Sequence, residues 1–146
     1  MKRRDFVRVC GGACFSGAVL PVLLQGCASV RTLKGNIVGP DLLVPLDDSK
    51  RGGGGDEAFT SCIVVENDQL QYPVCVYRFS GDEYTALWMR CTHQGTELQV
   101  FGDTLQCPAH GSEFSNRGEV QNGPATEPLR TFPVTKEGNQ LKVSLR

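Results

Sequence analysis

Apolar and polar positions change places over short distances along most of this chain. No segment beyond residue 30 keeps the apolar period of a helix for more than a turn or two. Residues 60–65 and 74–79 are rich in β-branched and aromatic side chains, and the polar stretch Glu66-Asn67-Asp68-Gln69-Leu70-Gln71 between them predicts a hairpin. Ser80-Gly81-Asp82-Glu83 turns the chain into a further run at 84–89. Runs at 98–101 and 104–106 flank Gly102-Asp103 as a shorter hairpin, and those at 131–134 and 141–145 flank Glu137-Gly138-Asn139. Leu42-Leu43-Val44 begins the series, while Asp47-Asp48-Ser49 through Gly52-Gly53-Gly54-Gly55 reads as a loop. Short strands separated by turn signals predict an all-β fold, an antiparallel β-sandwich or small barrel.

Composition narrows the function without changing that picture. With 146 residues, 40% of them hydrophobic, there is room for one modest globular domain, and 17 Gly and 8 Pro suit its many turns. A formal charge of −1 with no basic stripe argues against a nucleic-acid partner. The glycine run at 52–55 lacks a following Lys-Ser/Thr and is no nucleotide loop.

The first thirty residues break the pattern. Arg3-Arg4-Asp5-Phe6-Val7-Arg8 is followed by an uncharged stretch over 9–30, the layout of an export signal. It resembles the twin-arginine type, with Lys2 where Ser or Thr is usual. Leu24-Gln25-Gly26-Cys27 resembles a bacterial lipoprotein cleavage box, which makes Cys27 the candidate for lipidation. The alternative is an uncleaved anchor, since a bilayer span takes about 20 apolar residues, although Gly11, Gly12, Gly17 and Pro21 make this a poor one. Residues 1–26 are thus expected to be the signal and 27–40 a lipid-anchored tether, placing the rest on the periplasmic side of a membrane. Without 1–26 the chain keeps 11 basic and 15 acidic side chains, about −4, which suits a partner with a basic face or simply keeps the domain soluble.

The chemistry is concentrated in two short segments. The chain has only two histidines, and each follows a cysteine: Cys91-Thr92-His93-Gln94-Gly95 and Cys107-Pro108-Ala109-His110-Gly111-Ser112. A [2Fe–2S] centre in which two thiolates hold one iron and two imidazoles the other needs this donor set, and a Cys and a His from each loop let both loops reach both irons. Such a core is neutral when oxidised, whereas an all-cysteine core starts two charges lower. It is therefore easier to reduce, with potentials of roughly −150 to +300 mV. A closed zinc site is the alternative, although zinc clips usually group cysteines with cysteines and histidines with histidines.

These loops resemble those of the Rieske iron–sulfur family, over residues 41–146. The resemblance implies a sandwich with a small cluster-binding subdomain at its tip, the tip and its supports being expected over 84–125. It also implies Cys91, His93, Cys107 and His110 as ligands of one [2Fe–2S] cluster, with Gly95, Thr96, Gly111 and Ser112 shaping the loops around it. The partner implied is a redox protein, either a cytochrome or the catalytic subunit of an oxidoreductase, and the chain is expected to be an electron-transfer protein or subunit with no catalytic site of its own. Family members that oxidise quinol usually carry a disulfide between the loops, where this chain has Thr96 and Ala109, and a Tyr where it has Phe114. Fewer hydrogen-bond donors to the cluster imply a potential below the high-potential class. The readings are a membrane-tethered electron carrier, the electron-transfer subunit of an oxidoreductase, the Rieske subunit of a quinol–cytochrome c oxidoreductase, or a zinc-stabilised binding module. Cys62 and Cys75 remain: folding the hairpin about residues 68 and 69 sets them opposite each other, as a disulfide or as two buried thiols.

Overall fold

The paired runs Cys62-Ile63-Val64-Val65 and Val74-Cys75-Val76-Tyr77 are apolar without a break, so a sheet built on them has two faces to cover rather than one. In the computed structural model, which describes residues 30–46, 62–79 and 82–146, both faces are covered. The strands of the described residues are β1 (Arg31–Lys34), β2 (Asn36–Val38), β3 (Asp41–Pro45), β4 (Cys62–Glu66), β5 (Val74–Arg78), β6 (Tyr84–Trp88) and β7 (Gln99–Phe101). They continue as β8 (Thr104–Gln106), β9 (Glu113–Ser115), β10 (Val120–Asn122), β11 (Thr131–Phe132), β12 (Val134–Glu137) and β13 (Gln140–Ser144). The expected all-β class is what the structure shows.

A five-stranded sheet, β1-β4-β5-β6-β11, forms the middle layer. One of its faces sends Cys62, Val64, Cys75, Tyr77 and Leu87 into a core shared with Leu105 and Phe114 of the four-stranded sheet β10-β9-β8-β7. Its other face sends Ile63, Val65, Val74, Val76 and Ala86 against Leu42, Val44, Leu141 and Val143 of the sheet β12-β13-β3-β2. Side chains on a strand alternate between faces, so the unbroken apolar runs are two alternating patterns superposed.

Three expectations are corrected. The tether expected over 27–40 is structured from Arg31 onward: β1 lies parallel to β4 and β2 antiparallel to β3. Gly35 allows this, because a Cβ there would lie 2.7 Å from the side chains of Leu42 and Val65, and its carbonyl accepts from Asn67 Nδ2 at 2.9 Å. The domain therefore begins by Arg31 rather than at 41. The export motif with Arg3 and Arg4, the lipidation candidate Cys27 and the glycine run at 52–55 lie outside the described residues.

The second correction is the hairpin register. Val64 faces Cys75 and Cys62 faces Tyr77, two residues from the expected pairing. Asn67 closes the turn, its Oδ1 accepting from Gln69 N and its carbonyl from Leu70 N, which leaves residues 71–73 as extra length on the return side. A slip of two keeps each side chain on its face. Cys62 and Cys75 consequently meet on a diagonal, joined as a disulfide with Cα atoms 6.4 Å apart. Replacing both with alanine is expected to cost about 2–3 kcal/mol in chemical denaturation, the scale for a short closed loop; an unchanged midpoint would contradict it.

The run expected over 131–134 splits at Pro133, which has no N–H to give a ladder. Thr131–Phe132 pairs with β6 in the middle sheet, and Val134–Glu137 crosses to pair with β13. Of the tip and its supports expected over 84–125, Tyr84–Trp88 is a supporting strand of the middle sheet that leads into the first ligand loop.

Candidate metal centre

Both ligand loops leave strand ends on the same side of the shared core. The first follows β6 through the isolated bridge Arg90↔Glu97, and the second joins β8 to β9. Their backbones repeat one turn. Gly95 N donates to Cys91 O at 2.8 Å and Cys91 N to Thr96 O at 2.8 Å; Gly111 N donates to Cys107 O at 2.9 Å and Cys107 N to Ser112 O at 2.8 Å. The turn closes only if its fifth residue takes a left-handed conformation, and Gly95 and Gly111 have φ of 75° and 76°.

This common turn sorts the four candidate ligands by depth. Cys91 is 0% and Cys107 3% exposed, both within the core beneath the loops, while His93 and His110 are exposed. The imidazole rings meet edge to face, centroids 5.0 Å apart at 87°. Burial alone would push the Cys107 thiol up, but the backbone N–H groups of His110 and Ala109, the Cys91 thiol and the Thr96 hydroxyl together hold it below its ordinary value. Among the described residues no three His, Cys, Asp or Glu side chains close on one ion; the pairing is two thiols inside and two imidazoles outside. That layered donor set fits a two-iron cluster, of which the two cysteines would hold one iron and the two histidines the other.

A third segment, residues 123–129, joins the two loops. Thr92 Oγ1 donates to Glu127 O at 2.7 Å, and Ala125 N donates to the Oγ of Ser112, a fully buried residue, at 3.0 Å. Each loop is thereby tied to residues 123–129, in addition to the direct contacts of Thr96 with Cys107 and of His93 with His110. Leu129 N in turn donates to Gly118 O at 2.8 Å. Spacing could not have revealed this segment, because it carries no ligand. Thr92→Val removes one tie and is expected to cost about 1 kcal/mol, read as faster cluster loss on dilution into a chelator; an unchanged rate would remove Glu127 from the account.

The other singled-out residues have clear places. Thr96 stands where quinol-oxidising family members carry a bracing cysteine, and its hydroxyl faces the Cys107 thiol instead. Phe114 is fully buried on β9, and the exposed Ala109 lies in the second loop. Farther from the ligands, Tyr77 Oη donates to Gly102 O at 3.1 Å, fixing the β7–β8 turn to the middle sheet. Burial, with Asp103 nearby, pushes that hydroxyl well above the usual tyrosine range.

The family model of the Rieske [2Fe-2S] domain matches residues 57–133. The chain is 33% identical over 78 residues to the 3-phenylpropionate/cinnamic acid dioxygenase ferredoxin subunit of Escherichia coli (strain K12), covering 50% of this chain and 74% of that protein. It is 31% identical over 67 residues to the cytochrome b6-f complex iron-sulfur subunit of Chlorobaculum tepidum, covering 44% of this chain but only 37% of that subunit. Among solved structures, the plasma-membrane Rieske protein of the cyanobacterium Synechocystis is similar with a TM-score of 0.50 and 28% identity, over 57% of this chain and 86% of that one.

Proposed function

The chain belongs to the Rieske [2Fe–2S] domain family, and from that premise we propose that it passes single electrons on the outer side of a bacterial cytoplasmic membrane, as a tethered carrier or as the electron-transfer subunit of an oxidoreductase. A Rieske domain binds a [2Fe–2S] cluster, so the closed zinc site drops out. The cluster supplies one-electron exchange at moderate potential. Cys91 and Cys107 would hold one iron and His93 and His110 the other.

The observation that carries this reading is the depth order of the ligands. Buried thiols shield one side of the site, while the exposed imidazoles bring the other to the surface, where a redox partner can approach. Relatives named as a dioxygenase ferredoxin subunit and a cytochrome b6-f subunit support an electron-transfer role and a protein partner, either an oxygenase-type catalytic subunit or a cytochrome. Quinol oxidation is the second reading. It is favoured by the exposed His93 and His110, which could accept a quinol proton, and opposed by the missing loop disulfide and by Phe114.

Export and anchoring rest on Arg3-Arg4, the uncharged stretch behind them and Cys27. Twin-arginine export carries folded proteins and suits a domain loaded with its cluster before transport. A disulfide at Cys62 and Cys75 suits an oxidising compartment. Purification from native membranes, with visible and EPR spectra of the reduced protein and mass spectrometry of its amino terminus, tests the whole proposal. The expected result is a Rieske-type signal, a lipid on Cys27 and a co-purifying redox protein. A colourless, EPR-silent protein would overturn the function, and an unmodified Met1 the lipid anchor.

A further inference from the structure

We propose that Tyr72, in the loop between β4 and β5 and outside both ligand motifs, is a positioning residue for the first ligand loop and raises the reduction potential of the cluster held there. The inference rests on the cluster reading above and deepens it.

Tyr72 Oη donates a hydrogen bond to the carbonyl of Gly95, 23 residues away. Its ring stands edge-on to Trp88 of β6, centroids 5.5 Å apart at 84°. The Arg90 guanidinium lies 5.7 Å from the Trp88 ring centre, and its Nε and Nη2 would be 3.3 Å from a Cβ on Gly95. Gly95 is thus held on its carbonyl by a phenol and flanked by a guanidinium, both of which rest on one indole. Gly111, at the matching position of the second loop, has nothing within 4 Å of where its Cβ would be. Two loops with the same backbone turn therefore differ in that the first is fastened to the middle sheet from outside.

The fastening reaches the cluster through one peptide. Gly95 O and Thr96 N belong to the same amide, so a hydrogen bond on that oxygen fixes the peptide plane that leads into Thr96. Thr96 is also the residue whose carbonyl accepts from Cys91 N and whose hydroxyl faces the Cys107 sulfur. Holding Gly95 in place keeps Thr96 aligned with both cysteines. One-electron reduction adds negative charge to a core bound by these thiolates, so donors aligned on them favour the reduced form. Tyr72 does this without touching a ligand, which is why no ligand spacing points to it.

Tyr72→Phe keeps the ring against Trp88 and removes only the hydroxyl. In the full-length cluster-loaded protein, a redox titration followed by EPR is expected to show full iron content with a lower midpoint potential. The shift should correspond to a roughly threefold to tenfold change in the reduced-to-oxidised ratio at fixed poise, where tenfold is 59 mV for one electron. The nitrogen hyperfine coupling of one histidine, but not of both, should change as well. An unchanged potential overturns the proposal, and so does a loss of iron in which the remaining cluster keeps its wild-type potential, since packing alone would do that. Should Tyr72→Phe hold no iron, Arg90→Lys keeps the charge and removes the planar group beside Gly95; it should lower the potential by less, and a wild-type value overturns the proposal. Absence of a cluster signal in the unmutated protein would instead sink the family-based reading of the site.

Discussion

A Cys107→Ala variant is expected to fold and to emerge colourless, with no more than a few per cent of the wild-type iron and no EPR signal after reduction. The thiol is one of two buried donors, and among the described residues the only free cysteines are Cys91 and Cys107, so none of these can substitute. Thiolate ligation would also set the core charge; with one thiolate gone, the iron that Cys91 and Cys107 would hold would lose half of its protein ligands. Alanine suits the buried position as a small apolar residue, which separates loss of cluster from loss of fold. Far-ultraviolet circular dichroism should therefore match the wild type while the visible bands vanish. By contrast, Thr96→Val should keep the cluster and lower its potential, because it removes a hydroxyl that faces Cys107 without removing a ligand. A Cys107→Ala protein that retained full iron and a Rieske-type signal would mean that the thiols do not ligate as assigned.

Chemistry was more legible in the sequence than architecture, and the reason lies in how each is written. Cys91, His93, Cys107 and His110 use every histidine of the chain, and each Cys/His pair lies within one short loop, so only the meeting of the two loops is left to the fold. The strands at 99–101 and 104–106 were equally plain, because Gly102-Asp103 marks their turn and Gly102 has a φ of 59°. The edge strand at 31–34 was not. Its charged ends, Arg31 and Lys34, read as a solvated tether, and only the close approach at Gly35 reveals the packing. The apolar runs of β4 and β5 predicted strands but hid a sheet covered on both faces, since alternation disappears when both faces are buried. Tyr72 and residues 123–129 carried no signal, because each acts across a gap of 23 or more residues in sequence or through a backbone atom.

Distance from the ligands does not make a residue unimportant to them, and the core below the loops gives the second large effect. Leu87→Ala should destabilise the domain by about 2–5 kcal/mol, the range for emptying a buried leucine site. Leu87 is fully buried on β6, and it lies where the middle sheet meets the cluster-binding sheet. Its Cδ2 would be 2.9 Å from a Cβ on Gly118, and the Leu129 Cβ would be 3.3 Å from that same point. Gly118 has a φ of 84° and its carbonyl accepts from Leu129 N, so leucine packing and a glycine-only turn together set where the chain enters and leaves residues 123–129. That segment ties both ligand loops through Glu127 and Ala125. A cavity at Leu87 should therefore be felt twice, as a lower denaturation midpoint and as faster loss of cluster absorbance under native conditions. Leu141→Ala, in the opposite core between the middle sheet and β13, provides the comparison. It should cost a similar free energy of unfolding yet leave the native-state rate of cluster loss close to wild type. Equal rates in the two variants would show that cluster retention follows global stability alone and that the Leu87–Gly118–Leu129 junction has no separate hold on the loops.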